Sequence, residues 1–412
     1  MQFVRRVKMS IRPKKIQKNN IALKAACLMT AVLLCLAALP IFAEERREED
    51  VPSSLQIEGA AFSSMPQISA TSAILIEAES GRVIAEKNAD QRMPMASTTK
   101  IMTALTAIEN CDVKKTISVP SAAVGIEGSS IYLYEGEQLT VEDLLYAMLL
   151  ESANDAAAAI AIAIGGSIEG FAEMMNARAK ALGLENTHFE NPHGLDSPEH
   201  YTTARELALI SAAAMKNETF QKIVSTYKIT IPLNQTEGVR LLINHNKMLK
   251  SYSGAVGIKT GYTKKSGRCL VSAAEKDGVK LIAVTLNAPD DWQDHTKMLD
   301  LGFSILESRT LCEVNEFKRV QPIIGGDYDS VILTNTTSCA VVLPRSAPEI
   351  KCRLELERFT YAPLKEGETV GHLVYTLDGE ILAKVPICAT SSVTKASYRL
   401  GLWERLCAFL KK

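Results

Sequence analysis

The sequence has few aromatic residues and almost no net charge. Aromatic side chains make up 6% of the 412 residues, and 46 basic residues offset 47 acidic ones to leave a formal net charge of −1. Proteins that bind nucleic acid need a basic surface, so this composition argues against a nucleic-acid partner. With 47% hydrophobic residues the chain is globular, and its length indicates two or three domains.

The near-zero net charge hides an uneven distribution. Residues 1–43 contain eight basic residues and no acidic one, and residues 395–412 contain five basic residues and one acidic residue. The body between them, residues 44–394, therefore holds 33 basic and 46 acidic residues, a net charge of −13. We interpret the chain as an acidic body between two basic ends.

The nine cysteines and six histidines lack the spacing of a metal site. No C-x-x-C pair occurs, and the seven cysteines beyond residue 43 are widely scattered, which argues against a zinc site or a disulfide scaffold. We expect most of these cysteines to be buried thiols. His188, His193 and His200 cluster without the H-E-x-x-H pattern, so we predict no metal and no cofactor.

Residues 1–43 predict an export signal. A basic stretch ends at Lys24, an apolar run covers residues 25–42, and Ala43 precedes the acidic residues 44–50. The alternative is an uncleaved membrane anchor, because this apolar run is just long enough to span a bilayer. Either interpretation places the body outside the cytoplasmic membrane.

Residues 393–412 predict an amphipathic helix. Five apolar residues recur on one side at helical spacing, and basic residues lie elsewhere around the helix. These apolar residues are Leu402, Trp403, Leu406, Phe409 and Leu410. We favour a helix that anchors the protein peripherally on the outer face of the cytoplasmic membrane, and a helix docked on the protein's own core is the alternative.

The pattern between these ends indicates two folded regions after a polar linker at residues 44–66. Hairpin signals at residues 73–86 and 269–286 enclose helical segments, which favours an α/β (α+β) domain with an antiparallel sheet over residues 67–310. Residues 311–392 then read as a small all-β domain. There, residues 350–356 alternate as a half-buried strand does.

Three short motifs carry the chemistry. S-x-x-K occupies residues 97–100 at a predicted helix start, S-x-N occupies 152–154 between two predicted helices, and K-T-G occupies 259–261 at a predicted strand start. Each motif alone is weak evidence for a function. The three motifs in this order, however, are typical of class A β-lactamases and penicillin-binding proteins.

The residue types explain why this triple points to nucleophilic catalysis. Ser97 and Lys100 share a helix face, and serine becomes a nucleophile when a neighbouring base takes its proton. Burial and nearby cations lower a lysine pKa enough for it to act as that base. In the other motifs, Ser152 offers a hydroxyl for proton relay, and Lys259 offers positive charge beside the hydroxyl of Thr260.

Further stretches extend the likeness. They read ASTTK at residues 96–100, ESAND at 151–155, NPHGL at 191–195, NHN at 244–246 and GIKTGYT at 257–263. On these residues the chain resembles the low-molecular-mass penicillin-binding proteins, which are serine-type D-alanyl-D-alanine carboxypeptidases. The resemblance covers about residues 66–390 and implies a β-lactamase/transpeptidase-like domain followed by a β-rich domain and an amphipathic tail.

The resemblance also implies the activity and the site. The substrate would be the peptidoglycan stem pentapeptide, which loses its terminal D-Ala through an acyl-enzyme on Ser97, and β-lactam antibiotics would be covalent inhibitors. Backbone N–H groups of Ser97 and Tyr262 would form the oxyanion hole. The implied catalytic residues are Ser97, Lys100 and Ser152. The implied substrate-binding residues are Asn154, Lys259, Thr260, Gly261 and Tyr262.

The chain departs from the family pattern at one place, and two functions other than a carboxypeptidase are alternatives. Some relatives place an arginine after the last sheet hairpin to hold the substrate carboxylate, but residues 287–294 contain none. A β-lactamase would need a further carboxylate in E-x-x-L-N, and residues 185–192 lack that motif. A non-catalytic penicillin-binding sensor or wall-binding protein is the other rival, and the intact pair of Ser97 and Lys100 argues against it.

Overall fold

The computed structural model describes residues 63–233 and 238–396. The predicted signal segment at 1–43 and most of the helix predicted at 393–412 lie outside these residues. Within the described ranges, no single helix has the length and hydropathy to cross a membrane, although one bent pair, Asn154–Gly165 with Ile168–Ala181, passes the same criteria together.

The described chain alternates strands and helices in its first part and contains strands alone after residue 305. The strands are β1 (Ser72–Glu77), β2 (Val83–Lys87), β3 (Thr116–Ser118), β4 (Gln138–Thr140), β5 (Lys228–Leu233), β6 (Gly238–Ile243), β7 (Ala255–Thr263), β8 (Gly267–Lys276), β9 (Val279–Leu286), β10 (Leu306–Cys312), β11 (Lys318–Ile324), β12 (Ser330–Asn335), β13 (Cys339–Pro344), β14 (Lys351–Leu356), β15 (Thr360–Tyr361), β16 (Thr369–Leu377) and β17 (Glu380–Ala389). The helices are α1 (Lys100–Asn110), α2 (Val141–Leu150), α3 (Asn154–Gly165), α4 (Ile168–Ala181), α5 (Ala204–Met215), α6 (Glu218–Ser225), α7 (Met248–Ser251) and α8 (Asp291–Ile305).

A five-stranded antiparallel sheet with the order β2-β1-β9-β8-β7 organises the first region. All six residues of β1 are buried, because both faces of the sheet are covered. Ile74 and Ile76 pack in the core formed with α1 to α6, whereas Ala73 and Leu75 pack with Met298 of α8. Successive strand residues point to opposite faces, so one strand serves two cores. The predicted α/β fold with helices flanking an antiparallel sheet is confirmed.

Local signals define the helices that carry the site. Thr140 and Asp143 form a capping box at the start of α2, where each side chain bonds the backbone N–H of the other residue. α3 ends at Gly166, which adopts the left-handed conformation with φ +78°. The start of α2 and the end of α3 are therefore both recognisable in the sequence, from the T-x-x-D pattern at 140–143 and the G-G pair at 165–166.

The second region is all β, as predicted. Its six-stranded sheet has the order β14-β16-β17-β12-β11-β15, and β10 pairs with β13 in a separate ribbon. The expectation of a half-buried strand near residues 350–356 is wrong in its burial, because only Leu356 of β14 is not exposed. β14 is an edge strand that pairs with β16 alone in the described sheet, and five of its six residues are exposed.

The expectation that most cysteines are buried holds for half of those in the described residues. Among the six cysteines of the described residues, Cys269, Cys312 and Cys388 are buried, whereas Cys352 is exposed on β14. Sequence alternation does not reveal which face of an edge strand is covered.

A buried carboxylate ties α8 to the chain that enters β1. Asp294 accepts hydrogen bonds from the backbone N–H groups of Ser69 and Ala70, both at 3.0 Å, and from the Ser69 hydroxyl at 2.7 Å. We expect Asp294→Ala to lower the free energy of unfolding by roughly 2 to 4 kcal/mol, because buried donors lose their acceptor. Asp290→Ala is the control, since the exposed Asp290 makes no side-chain cap bond, and it should cost less than about 1 kcal/mol. Denaturant unfolding measures both, and equal losses would contradict this assignment.

Candidate active site

The fold brings the three motifs together beside β7, the strand at one edge of the sheet. Ser97 lies in a 3₁₀ turn, Ala96–Thr99, that leads directly into α1, and Ser152 lies in the turn between α2 and α3. Lys259 to Gly261 occupy the middle of β7 rather than its start, which corrects the expectation from the sequence. β7 is the outer strand of the sheet and packs beside the 3₁₀ turn.

Close packing between β7 and the serine turn requires glycine at residue 261. A Cβ atom at Gly261 would lie 3.0 Å from the backbone N of Ser97 and 3.1 Å from that of Thr98. Such contacts are tighter than ordinary Cβ contacts, so the strand approaches the turn only because this residue has no side chain. The glycine of the K-T-G motif therefore leaves space for the turn that carries Ser97.

The amine of Lys100 is the hub of the site. Its Nζ lies 2.9 Å from Ser97 Oγ, 2.7 Å from Asn154 Oδ1 and 2.5 Å from the backbone O of His193. These contacts unite α1, the first residue of α3 and the loop at residues 191–195. Ser97, Lys100 and Asn154 are thus joined by direct hydrogen bonds.

Burial controls the charge of both motif lysines. The Lys100 side chain is fully buried, and desolvation together with the nearby Lys259 charge holds its pKa well below the ordinary lysine value. Desolvation also lowers the pKa of Lys259 to about 7, while the Glu151 carboxylate opposes that shift. The lowered pKa makes the neutral form of Lys100 easier to reach, and that form has a lone pair that is able to accept a proton.

Two residues at the start of α3 support the neighbouring loop. The Asn154 amide donates to the backbone O of Glu127 at 2.5 Å. The carboxylate of Asp155 accepts bonds from the Ser130 hydroxyl at 2.6 Å and from the backbone N–H of Leu133 at 3.0 Å. The loop at residues 127–133 is therefore held against the site by the same helix that supplies Asn154.

The remaining predicted residues lie nearby but make no direct hydrogen bond to the Lys100 amine. Ser152 is buried and has the left-handed φ of +61°, but its hydroxyl is not among the hydrogen-bond partners of Lys100. Lys259 donates to the backbone O of Thr260 at 3.1 Å. Tyr262 is 67% exposed and lies at the rim.

A chain of hydrogen bonds behind Ser97 was not predicted from the sequence. The Glu190 backbone N–H donates to His200 Nδ1 at 3.1 Å, so the proton resides on Nε2, which donates to Thr99 Oγ1 at 2.8 Å. Thr99 in turn donates to the backbone O of Ala96 at 2.8 Å. Ala96 has φ +47°, an unfavourable conformation that this chain helps to hold next to Ser97.

The three clustered histidines make three different contacts. The buried His193 bonds Lys100 through its backbone O and the buried His200 bonds Thr99, whereas the half-buried His188 bonds the backbone O of Glu199. Across residues 63–233 and 238–396, no group of three His, Cys, Asp or Glu side chains is placed to hold a metal ion.

Comparisons with known proteins identify relatives over most of the chain. Residues 60–290 match the D-alanyl-D-alanine carboxypeptidase family, and residues 306–395 match the C-terminal domain of penicillin-binding protein 5. The chain is 34% identical to D-alanyl-D-alanine carboxypeptidase DacF of Bacillus subtilis over 80% of this chain and 87% of that protein. It is 31% identical to DacA of Escherichia coli K12 over 91% of this chain and 94% of that protein.

Solved structures show the same likeness. The crystal structure of penicillin binding protein 5 from Haemophilus influenzae superimposes with a TM-score of 0.60 at 30% identity, over 80% of this chain and 99% of that one. The chain therefore belongs to the D-alanyl-D-alanine carboxypeptidase family, the serine peptidases among the low-molecular-mass penicillin-binding proteins. The resemblance drawn from the motifs is confirmed.

The conformation before Ser97 depends on a second glycine. A Cβ atom at Gly194 would lie 2.0 Å from the backbone O of Ala96, and Gly194 has φ +88°. We expect Gly194→Ala to lower the free energy of unfolding by about 2 to 6 kcal/mol and to slow acylation of Ser97. Gly183→Ala is the matched control, because Gly183 also has a positive φ but no atom near its Cβ position. Denaturant unfolding and labelling with a fluorescent penicillin measure both effects, and equal behaviour of the two variants would contradict the clash.

Proposed function

We propose that the chain removes the terminal D-Ala from peptidoglycan stem pentapeptides through an acyl-enzyme on Ser97. The family match supports the carboxypeptidase activity. The observation that carries the residue assignment is the 2.9 Å contact between Ser97 Oγ and the buried amine of Lys100, whose pKa is lowered by burial. No other arrangement in the described residues pairs a serine hydroxyl with such a base.

In the acylation step, Lys100 takes the Ser97 proton as Oγ attacks the carbonyl carbon between the two D-Ala residues. The carbonyl oxygen becomes negative and is stabilised by the backbone N–H groups of Ser97 and Tyr262. The proton then passes to the departing D-Ala nitrogen, with Ser152 as the relay. Asn154 holds the substrate amide, and Lys259 with Thr260 faces the terminal carboxylate.

In the second step, water hydrolyses the ester on Ser97 and restores the hydroxyl. β-Lactams follow the same acylation, but their acyl-enzyme leaves slowly, so they inhibit the protein. The contact of Glu190 supports this distinction from a β-lactamase. Its carboxylate accepts a hydrogen bond from the backbone N–H of Glu199, so it is engaged away from the site.

We also propose that the chain works outside the cytoplasmic membrane. Residues 1–43 act as an export signal, residues 44–66 as a linker, 67–310 as the peptidase domain and 311–392 as the β-rich domain. Residues 393–412 anchor the protein to the outer face of the cytoplasmic membrane through their apolar side and basic groups.

Deletion of 393–412 should move the protein from the membrane fraction to the soluble fraction. An unchanged distribution would contradict the anchor.

Release of D-Ala from a D-Ala-D-Ala-ended peptide tests the catalytic assignment. We expect the wild type to release D-Ala and to form a stable penicillin adduct, and Ser97→Ala to do neither, because it lacks the attacking oxygen. Ser225→Ala is the control, since this exposed serine bonds only the nearby Lys222 backbone. D-Ala release that survives in Ser97→Ala would refute the nucleophile, and rapid turnover of penicillin would favour a β-lactamase.

The two lysine pKa shifts predict a bell-shaped pH dependence of kcat/KM. On the acid side Lys100 gains a proton and stops acting as a base, and on the alkaline side Lys259, with a pKa of about 7, loses the charge that faces the carboxylate. We expect Lys259→Arg to move the alkaline limb to higher pH, because arginine keeps its charge there, and to leave the acid limb in place. Initial rates across pH measure this. An unmoved alkaline limb would show that another group controls it.

A further inference from the structure

The terminal carboxylate of the substrate has only one cation assigned to it so far. Lys259 is almost fully buried, and at its pKa of about 7 it carries only part of a positive charge at neutral pH. Residues 287–294 supply no arginine. If the protein acts on a peptide with a free carboxylate, as proposed above, a second cation is expected close to Thr260.

Arg268 occupies such a position on the neighbouring strand. In the pairing of β7 with β8, Tyr262 lies opposite Arg268 and Thr260 lies opposite Leu270. Directly opposed residues share a face of the sheet, so Arg268 lies diagonal to Thr260 on the same face. Diagonal neighbours are about 7 to 8 Å apart, which is within reach of a long side chain.

The guanidinium group of Arg268 is held in place, but only part of its hydrogen-bonding capacity is occupied. Its Nη2 donates to Asp291 Oδ1 at 2.8 Å, and its centre lies 5.8 Å from the ring of Trp292. The side chain remains 43% exposed, and its buried Nε has no hydrogen-bond partner among the described residues. Because Asp291 holds one side of the planar group, the other N–H groups are able to meet a carboxylate in a defined direction.

The free edge of β7 explains how a substrate would reach both residues. β7 has a neighbour on one side only, so an extended peptide is able to pair with its open edge. The proposed function sets the terminal carboxylate of such a peptide beside Thr260. We propose that Arg268 is a substrate-binding residue, which grips this terminal carboxylate together with Thr260 and Lys259.

The competing explanation is that Arg268 only holds α8 to the sheet through Asp291. The experiment compares kcat/KM for a D-Ala-D-Ala-ended peptide with kcat/KM for the same peptide ending in D-alanine amide. The wild type should prefer the free carboxylate. Arg268→Gln should reduce kcat/KM on the acid by about 10-fold to 100-fold, the range for a lost charged hydrogen bond, and should leave the amide rate unchanged. Arg268→Lys should retain part of the preference.

Two control variants separate binding from structure. Asp291→Asn removes the charge of the structural partner and keeps Arg268, so it should lower stability and retain the carboxylate preference. Lys265→Gln removes an exposed positive charge from the turn between β7 and β8 and should change neither rate by more than about 2-fold, because exposed charges are screened.

The outcomes are distinct. A preference that survives in Arg268→Gln, or one that is lost equally in Asp291→Asn, would overturn the assignment of Arg268 and leave the proposed function intact. A wild type that releases neither D-Ala from the acid nor D-alanine amide from the amide would overturn the proposed function, and the assignment of Arg268 with it.

Discussion

The burial of the Lys100 amine is the constraint on which the rest of the site depends. A buried ammonium ion without a matched carboxylate is costly, so the amine loses its proton more readily and is satisfied by neutral acceptors. Those acceptors come from the start of α3 and from the backbone of the loop at His193. Lys259, placed on the adjoining strand, adds repulsion. The positions of α1, α3, β7 and this loop are therefore all fitted to one nitrogen atom.

Features that depend on local sequence were predictable. The hairpin turns, the capping box at Thr140 and the glycine end of α3 each involve residues within a few positions of one another, where turn and cap chemistry decides the structure. The S-x-x-K pair is local in the same sense, because both residues lie within one helical turn. The order of the motifs then placed S-x-N and K-T-G in the same site.

Features that depend on distant contacts were not predictable. The bond between Thr99 and His200 spans 101 positions, and a buried ion pair between Glu137 and Arg240 spans 103. No periodic pattern marks such partners, since each residue taken alone reads as an ordinary polar side chain. The same reason accounts for β14, whose alternating residues are mostly exposed at the edge of the sheet.

The open edge of β7 has a consequence for the protein's self-association. An unpaired strand edge is a surface on which a second copy of the chain could add its own strand. Two exposed lysines, Lys264 and Lys265, follow β7 directly, and the exposed ring of Tyr262 precedes them. Charge at the end of an edge strand opposes pairing between identical chains, whereas a short peptide with a negative terminus meets no such repulsion. The two lysines therefore favour a small anionic ligand over a second copy of the chain at this edge.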